Sequence, residues 1–149
     1  MKKVVVTGGA GFIGSNLVDK LIQTGREVII IDNLSTGKLE NVHAKAKLFE
    51  YDLSDISSEI LVNLFKDIDV VFHLAAVARV QPSIENPLPY NSANVTATLN
   101  VLHSANKAGV KRVVYSASSS CYGDSIKIPQ VETDPINPLS PYGLSLIHI

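Results

Sequence analysis

Residues 3–22 read KVVVTGGAGFIGSNLVDKLI. A β-branched run, Lys3 to Val6, ends at glycines, and apolar side chains then recur at Phe12, Ile13, Leu17, Val18, Leu21 and Ile22. The first pattern has the period of a strand and the second that of an amphipathic helix. Gly8, Gly11 and Gly14 punctuate the join with a G-x-x-G-x-x-G spacing. Glycine lets the backbone turn sharply and lets another group come close to it, and the amides of a helix start that follows face outward as anion donors.

Working outward, the alternation repeats. Gly25 falls just past the last periodic residue, where a left-handed helix cap is common. Val28 to Ile31 is wholly apolar, the mark of a strand buried on both faces. A helical stretch is expected near Thr36 to His43, a strand at Lys47 to Tyr51, a helix near Ile56 to Lys66 and a strand at Asp69 to Leu74. A long helix then runs from about Pro89 to Ala108 and ends at Gly109, and Arg112 to Tyr115 supplies a fifth strand. Strands that alternate with helices in this way call for an α/β fold, a doubly wound parallel sheet of about five strands with helices on both faces. After Ser116 the texture changes to serine, glycine and proline, with Pro129, Pro135, Pro138 and Pro141 in one long loop.

In such sheets ligands bind beyond the carboxyl ends of the strands. Asp32 ends the second strand 18 residues after Gly14, close to the ~20-residue interval at which a carboxylate meets the ribose hydroxyls of a bound dinucleotide. An acid there repels the extra phosphate of NADP, and no arginine lies near it in sequence, so NAD is the expected cofactor; Lys38 is the one nearby cation. Asp52, just past the third strand, suits a hydrogen bond from the adenine amino group and equally suits a helix cap together with Ser54 and Asp55.

Composition narrows the partners. The 149 residues are 46% apolar and 18% charged, with a formal net charge of -1, which gives no electrostatic grip on nucleic acid or an anionic membrane. No apolar run approaches the roughly 20 residues of a membrane-spanning helix. The single cysteine, Cys121, has no internal disulfide partner, and the start runs straight into the first strand, so a cytoplasmic location is expected. His43, His103 and Cys121 show no ligand spacing, and no metal is expected. His73 ends a strand, and the reading preferred for it is structural rather than general-base chemistry.

Several segments together resemble one family. TGGAGFIG (7–14), DNLSTG (32–37), Asp52-Leu53, HLAA (73–76), Asn94-Val95, SASSS (116–120) and SPYG (140–143) are similar, in order and spacing, to extended short-chain dehydrogenase/reductases of the NAD-dependent epimerase/dehydratase type. The resemblance implies a Rossmann-type domain over residues 1–143. It implies an NAD site lined by Gly8, Gly11, Phe12, Ile13, Gly14, Asp32, Asn33, Ser35, Asp52, Leu53, Leu74, Ala75, Ala76, Asn94 and Ser116. It also implies catalysis by Ser118 and Tyr142: the tyrosine takes the proton of a sugar 4-hydroxyl as its carbon hydride leaves for the nicotinamide, giving a transient 4-keto sugar and NADH.

ARVQPSIENP (78–87) and DNLSTG further look like UDP-glucose or UDP-N-acetylglucosamine 4-epimerases, so a UDP-sugar substrate and a homodimeric parent are expected. Sugar-nucleotide 4,6-dehydratases carry Thr-Asp-Glu where Ser118, Ser119 and Ser120 stand, and UDP-glucuronate decarboxylases a glutamate at the place of Ser120; with no carboxylate there, both alternatives lose ground. The chain departs from the pattern at Ala97, where glycine is usual, and at Leu146, where a lysine normally holds the nicotinamide ribose and favours the phenolate. A non-catalytic NAD-binding remnant is therefore the alternative of another class. Residues 144–149, LSLIHI, fit the family only in their first two positions, so they are expected to be a non-native tail on a truncated chain that lacks the substrate domain.

Overall fold

The apolar runs pair side by side because each is followed by a segment able to cover a sheet face. The computed structural model of the chain describes residues 2–147. Strands β1 (Lys3–Thr7), β2 (Glu27–Asp32), β3 (Lys47–Glu50), β4 (Val70–His73) and β5 (Arg112–Tyr115) form one parallel sheet in the order β3-β2-β1-β4-β5. The chain builds outward from β1 to β3, then returns to the other side of β1 for β4. That reversal opens a crevice between the ends of β1 and β4, the place where open α/β sheets bind ligands. Register sets Thr7 opposite both Ile31 and His73, and His73 opposite Tyr115, so these strand ends share one level.

Alternation along the strands divides the core in two. Val4, Val6, Val28 and Ile30 pack with Val18, Leu17, Leu21 and Ile22 of α1 (Phe12–Gln23) on one face. Val5, Ile29, Ile31 and Val71 meet Leu61 of α2 (Ser58–Leu64) and Val101 and Ala105 of α5 (Ala97–Ala108) on the other. Burial on both faces is why these strands read as unbroken apolar runs. The edge strand β5 is different: Val113 packs against the α2/α5 core, whereas Val114 is 43% exposed.

Helix ends follow local chemistry. Gly25, at φ 78, donates to the Ile22 carbonyl while Arg26 donates to Leu21, the paired bonds of a left-handed C-cap. Gly109, at φ 73, closes α5 in the same way with Val110. Ser57 caps α2 by accepting the Ile60 amide.

Four departures from these expectations appear. Thr36 to His43 is no helix beyond a single 3-10 turn at Leu39–Asn41; the Lys38 amide and the Asn41 side chain both bond the Ala10 carbonyl, so the segment is tied down as a strap across the turn after β1. A helix absent from the expectation, α3 (Val80–Glu85), precedes the long one; Pro82 is tolerated in its first turn. The long helix begins at α4 (Leu88–Tyr90) and passes through a π-helical turn, Asn91–Thr96, before α5. The serine- and proline-rich loop also holds a 3-10 turn, Ser119–Tyr122, and a final helix, α6 (Pro141–Ser145).

Candidate functional site

The three spaced glycines have three different jobs. Gly8 sits at φ 68, and a Cβ there would meet the backbone of Leu74 and Ala75. A Cβ on Gly14 would overlap the Gly8 carbonyl oxygen, so this glycine lets α1 press against the turn. At Gly11 a Cβ would touch only the Gly8 oxygen, 3.3 Å away, and would otherwise stand in a cavity of about 370 Å³ at the crevice. Gly11 caps α1 with no side-chain acceptor, and Phe12, Ile13 and Gly14 line the same cavity. The first amides of a helix have no intrahelical partner, so this end offers donors and positive dipole to an anion.

Asp32 closes the far side. It is 8% exposed; one carboxylate oxygen accepts the Ala10 amide at 3.0 Å and the other the Leu34 amide at 2.9 Å. A carboxylate has about four lone-pair sites, so both oxygens keep capacity for hydroxyl donors. Asn33, just past β2, donates to Asp52 at 3.0 Å, and its own amide oxygen accepts the Ser35 amide and hydroxyl. The other Asp52 oxygen accepts the Ser54 amide and hydroxyl, at 2.8 and 2.6 Å, and these bonds hold the carboxyl below its ordinary 3.8. Asp52 thus orders its own turn and lines the cavity, while the cap of α2 is Ser57. Lys38 is paired with Glu40 at 3.3 Å, and the lining contains no lysine or arginine.

Leu74, Ala75, Ala76, Val77 and Ala78 form the wall opposite Asp32, with Leu53 and Ser116 also in the lining. Asn94 is the one expected cofactor residue outside that lining. It is 1% exposed and spans Val77, accepting its amide at 2.7 Å and donating to its carbonyl at 3.0 Å. Its side chain shapes the wall from behind. Ala97, the departure from the family glycine, is 2% exposed and does line the cavity.

Ser118 and Tyr142 are not in the lining of this cavity; they lie on separate segments that fold together. Ser118 starts the 3-10 turn after β5, accepts the Ser120 amide at 3.2 Å, and lines a second, open cavity with Cys121, Tyr122, Ile136, Leu146 and Ile147. Tyr142 is in the first turn of α6, its ring edge-on to Tyr90 at 6.3 Å. Cys121, buried, approaches the Gly143 carbonyl at 3.7 Å and so joins the two segments. Leu146 is 5% exposed, four residues after Tyr142. Within the expected tail, Ser145 bonds Asn94 at 2.9 Å and the Tyr142 carbonyl at 2.8 Å; His148 and Ile149 lie outside the described residues.

Residues 4–149 match the model of the NAD dependent epimerase/dehydratase family. The chain belongs to this family. A putative UDP-glucose 4-epimerase of Methanocaldococcus jannaschii is 46% identical over 143 residues, which are 95% of this chain and 47% of that protein. Among solved structures, a UDP-N-acetylglucosamine 4-epimerase from Methanobrevibacter ruminantium in complex with UDP-N-acetylmuramic acid superposes with a TM-score of 0.90 at 43% identity, over 97% of this chain and 46% of its own. A Thermus thermophilus UDP-glucose 4-epimerase complexed with NAD gives 0.87 at 40% identity, over 97% and 47%. The chain spans about half the length of the relatives it matches.

In this epimerase/dehydratase chain several lining residues were not among the expected cofactor contacts. Thr36 and Gly37 belong to the strap mistaken for a helix; a Cβ on Gly37 would press on Ala10 and on the Asp32 carboxylate. Ala93 joins the lining from the π-helical turn, which places it there by widening the helix at that level. Among the described residues no helix is long and apolar enough to cross a membrane.

Proposed function

We propose that this chain is the NAD-binding part, residues 1–143, of a nucleotide-sugar 4-epimerase acting on UDP-glucose or UDP-N-acetylglucosamine, in a cytoplasmic homodimer. The observation that carries the cofactor is the opposition of two features across one cavity: the uncapped start of α1 over Gly11, and the buried Asp32 carboxylate with spare acceptor capacity. A dinucleotide fits both, with pyrophosphate at the amides and ribose hydroxyls at the acid. With no cation in the lining and Lys38 already paired, a 2′-phosphate beside Asp32 would meet uncompensated negative charge, which favours NAD over NADP. Asp52, held ionised by Ser54, would accept from the adenine amino group.

NAD bound there would supply a two-way hydride store at its nicotinamide. The chain's own residues would do the rest: Ser118 would hold the sugar 4-oxygen, and Tyr142 as its phenolate would take the 4-hydroxyl proton and as the phenol return it, so that a 4-keto sugar forms and is reduced on the other face. Serines at 118, 119 and 120 carry no carboxylate for loss of water or carbon dioxide, which favours epimerisation. Residues 144–149 are a non-native tail in this reading, and Leu146 leaves Tyr142 without a cationic neighbour four residues on.

Calorimetric titration of the 149-residue chain tests the cofactor: NAD should bind at least tenfold more tightly than NADP, and equal affinities would sink the assignment. The epimerase reading needs the parent gene sequenced past codon 143 and its product assayed. A lysine at position 146 with interconversion of UDP-glucose and UDP-galactose, and no net NADH, is the expected result. Loss of water or carbon dioxide from the sugar nucleotide would overturn it.

A further inference from the structure

Behind the cavity wall runs a chain of buried polar groups with no role in the chemistry proposed above. His73 is 1% exposed at the end of β4. Its Nδ1 lies 2.7 Å from the Thr7 hydroxyl of β1, and its Nε2 lies 2.8 Å from the Thr98 hydroxyl of α5. Thr98 donates in turn to the Asn94 carbonyl at 2.5 Å. The Thr7 oxygen also accepts the Leu74 amide at 3.2 Å and the Ala75 amide at 3.3 Å.

Counting protons orders the whole chain. A threonine hydroxyl has one hydrogen, and Thr98 has committed its own to Asn94. Toward His73 it is therefore an acceptor, which puts the imidazole proton on Nε2. Nδ1 is then a bare acceptor, so Thr7 must donate to it, and the Thr7 oxygen is left to receive Leu74 and Ala75. Every member is satisfied in this order. A proton added at Nδ1 would reverse it: the Thr7 oxygen would face three donors at once. The environment agrees with the neutral ring, since burial alone pushes the His73 pKa down from 6.5 to about 4. Tyr115 of β5 stacks on the ring at 5.7 Å and adds no charge near pH 7.

We propose that Thr7, His73 and Thr98 form a proton-ordered relay, with His73 as the Nε2–H tautomer, that positions the Leu74–Val77 wall of the cavity. Asn94 is its anchor at both ends: its carbonyl terminates the relay, and its side chain clamps Val77. One turn of helix thereby sets the height of four consecutive wall residues over the glycine turn. His73 is a positioning residue, acting through Thr7 on the Ala75 amide, for which the Thr7 hydroxyl is the partner at hand. That the positioned wall serves a dinucleotide rests on the proposed function; the proton order does not.

Long-range nitrogen NMR on the 149-residue chain at pH 7 should show His73 Nε2 protonated and Nδ1 bare. The Nδ1–H tautomer or the imidazolium would overturn the relay. Thr98→Val removes the acceptor at nearly constant shape. It should destroy the single tautomer and speed amide exchange at Ala75 by about fivefold, the size of one net hydrogen bond, while Thr98→Ser restores both. Unchanged exchange at Ala75 in Thr98→Val would also overturn it. NAD titration of the same proteins separates the two readings: weaker binding in Thr98→Val, rescued in Thr98→Ser, supports a cofactor-positioning wall. An intact relay in a wild-type chain that binds no NAD leaves the relay standing and removes the cofactor.

Discussion

At His73 the buried neutral ring has a thermodynamic consequence. Its folded pKa, about 4, lies below the unfolded value of 6.5, so the unfolded chain binds the extra proton first. The stabilisation is fully present above pH 6.5 and is lost as pH falls toward 4, amounting to about 2 kcal/mol at pH 5. Urea midpoints at pH 7 and pH 5 should therefore converge in His73→Gln relative to the wild type; parallel losses would show that the ring does not titrate this way. Gly14 makes the opposite kind of prediction, one of shape alone. Gly14→Ala would push a methyl into the Gly8 carbonyl and should cost about 3 kcal/mol of stability, with NAD affinity lost in parallel. A folded, cofactor-binding Gly14→Ala protein would refute that packing. Spacing made these glycines and Asp32 legible in the sequence, because a tight turn followed by a strand-end acid has a fixed interval. Asn94 was not legible in its actual role: its partner is the backbone of Val77, seventeen residues earlier, and no local period encodes that contact.

At the scale of elements, the inner strands were readable because burial on both faces leaves mostly apolar side chains, the edge strands β3 and β5 from shorter apolar pairs beside charged residues, and each observed strand falls within a residue or two of its expected run. The strap from Thr36 to His43 failed because its conformation is decided by two bonds to the Ala10 carbonyl rather than by helical preference. Helix α3 was missed for a related reason: it is six residues long, contains Pro82, and is held by what it touches. Ser83 within it is fully buried, donating to Val80 at 2.6 Å and accepting the Tyr142 amide at 3.1 Å. That amide belongs to the first turn of α6, where no helical carbonyl is available; Ser140 accepts the Gly143 amide at 3.0 Å in the same turn. Ser83→Ala leaves the part-buried Tyr142 amide without that acceptor, at a cost of about 1 kcal/mol. Hydrogen exchange should show Tyr142 and Gly143 opening first, with Ser83→Thr retaining protection. Equal protection in all three proteins would mean that α3 does not hold α6.

The whole molecule is two half-sheets that meet where β1 pairs with β4. Gly8 to Gly14, Asp32 and Asp52 belong to the half built from β1, β2 and β3, whereas Leu74 to Ala78 and Ser116 come from the half with β4 and β5. A ligand in the crevice touches both, so opening of either half releases it and cofactor stabilises the fold as a unit. At a free concentration 100 times its Kd, a ligand that binds only the native state adds about 2.7 kcal/mol. For a chain of this length that corresponds to a rise of roughly 5 to 10 °C in Tm. Thermal scans against increasing NAD should show one transition moving upward with the logarithm of concentration, with NADP lagging behind it at equal concentration. AMP reaches the Asp32 and Asp52 side without spanning to the Leu74–Ala78 wall, so it should shift the same transition by less. Two transitions of which NAD moves only one would mean that the halves unfold separately and that the ligand does not bridge them.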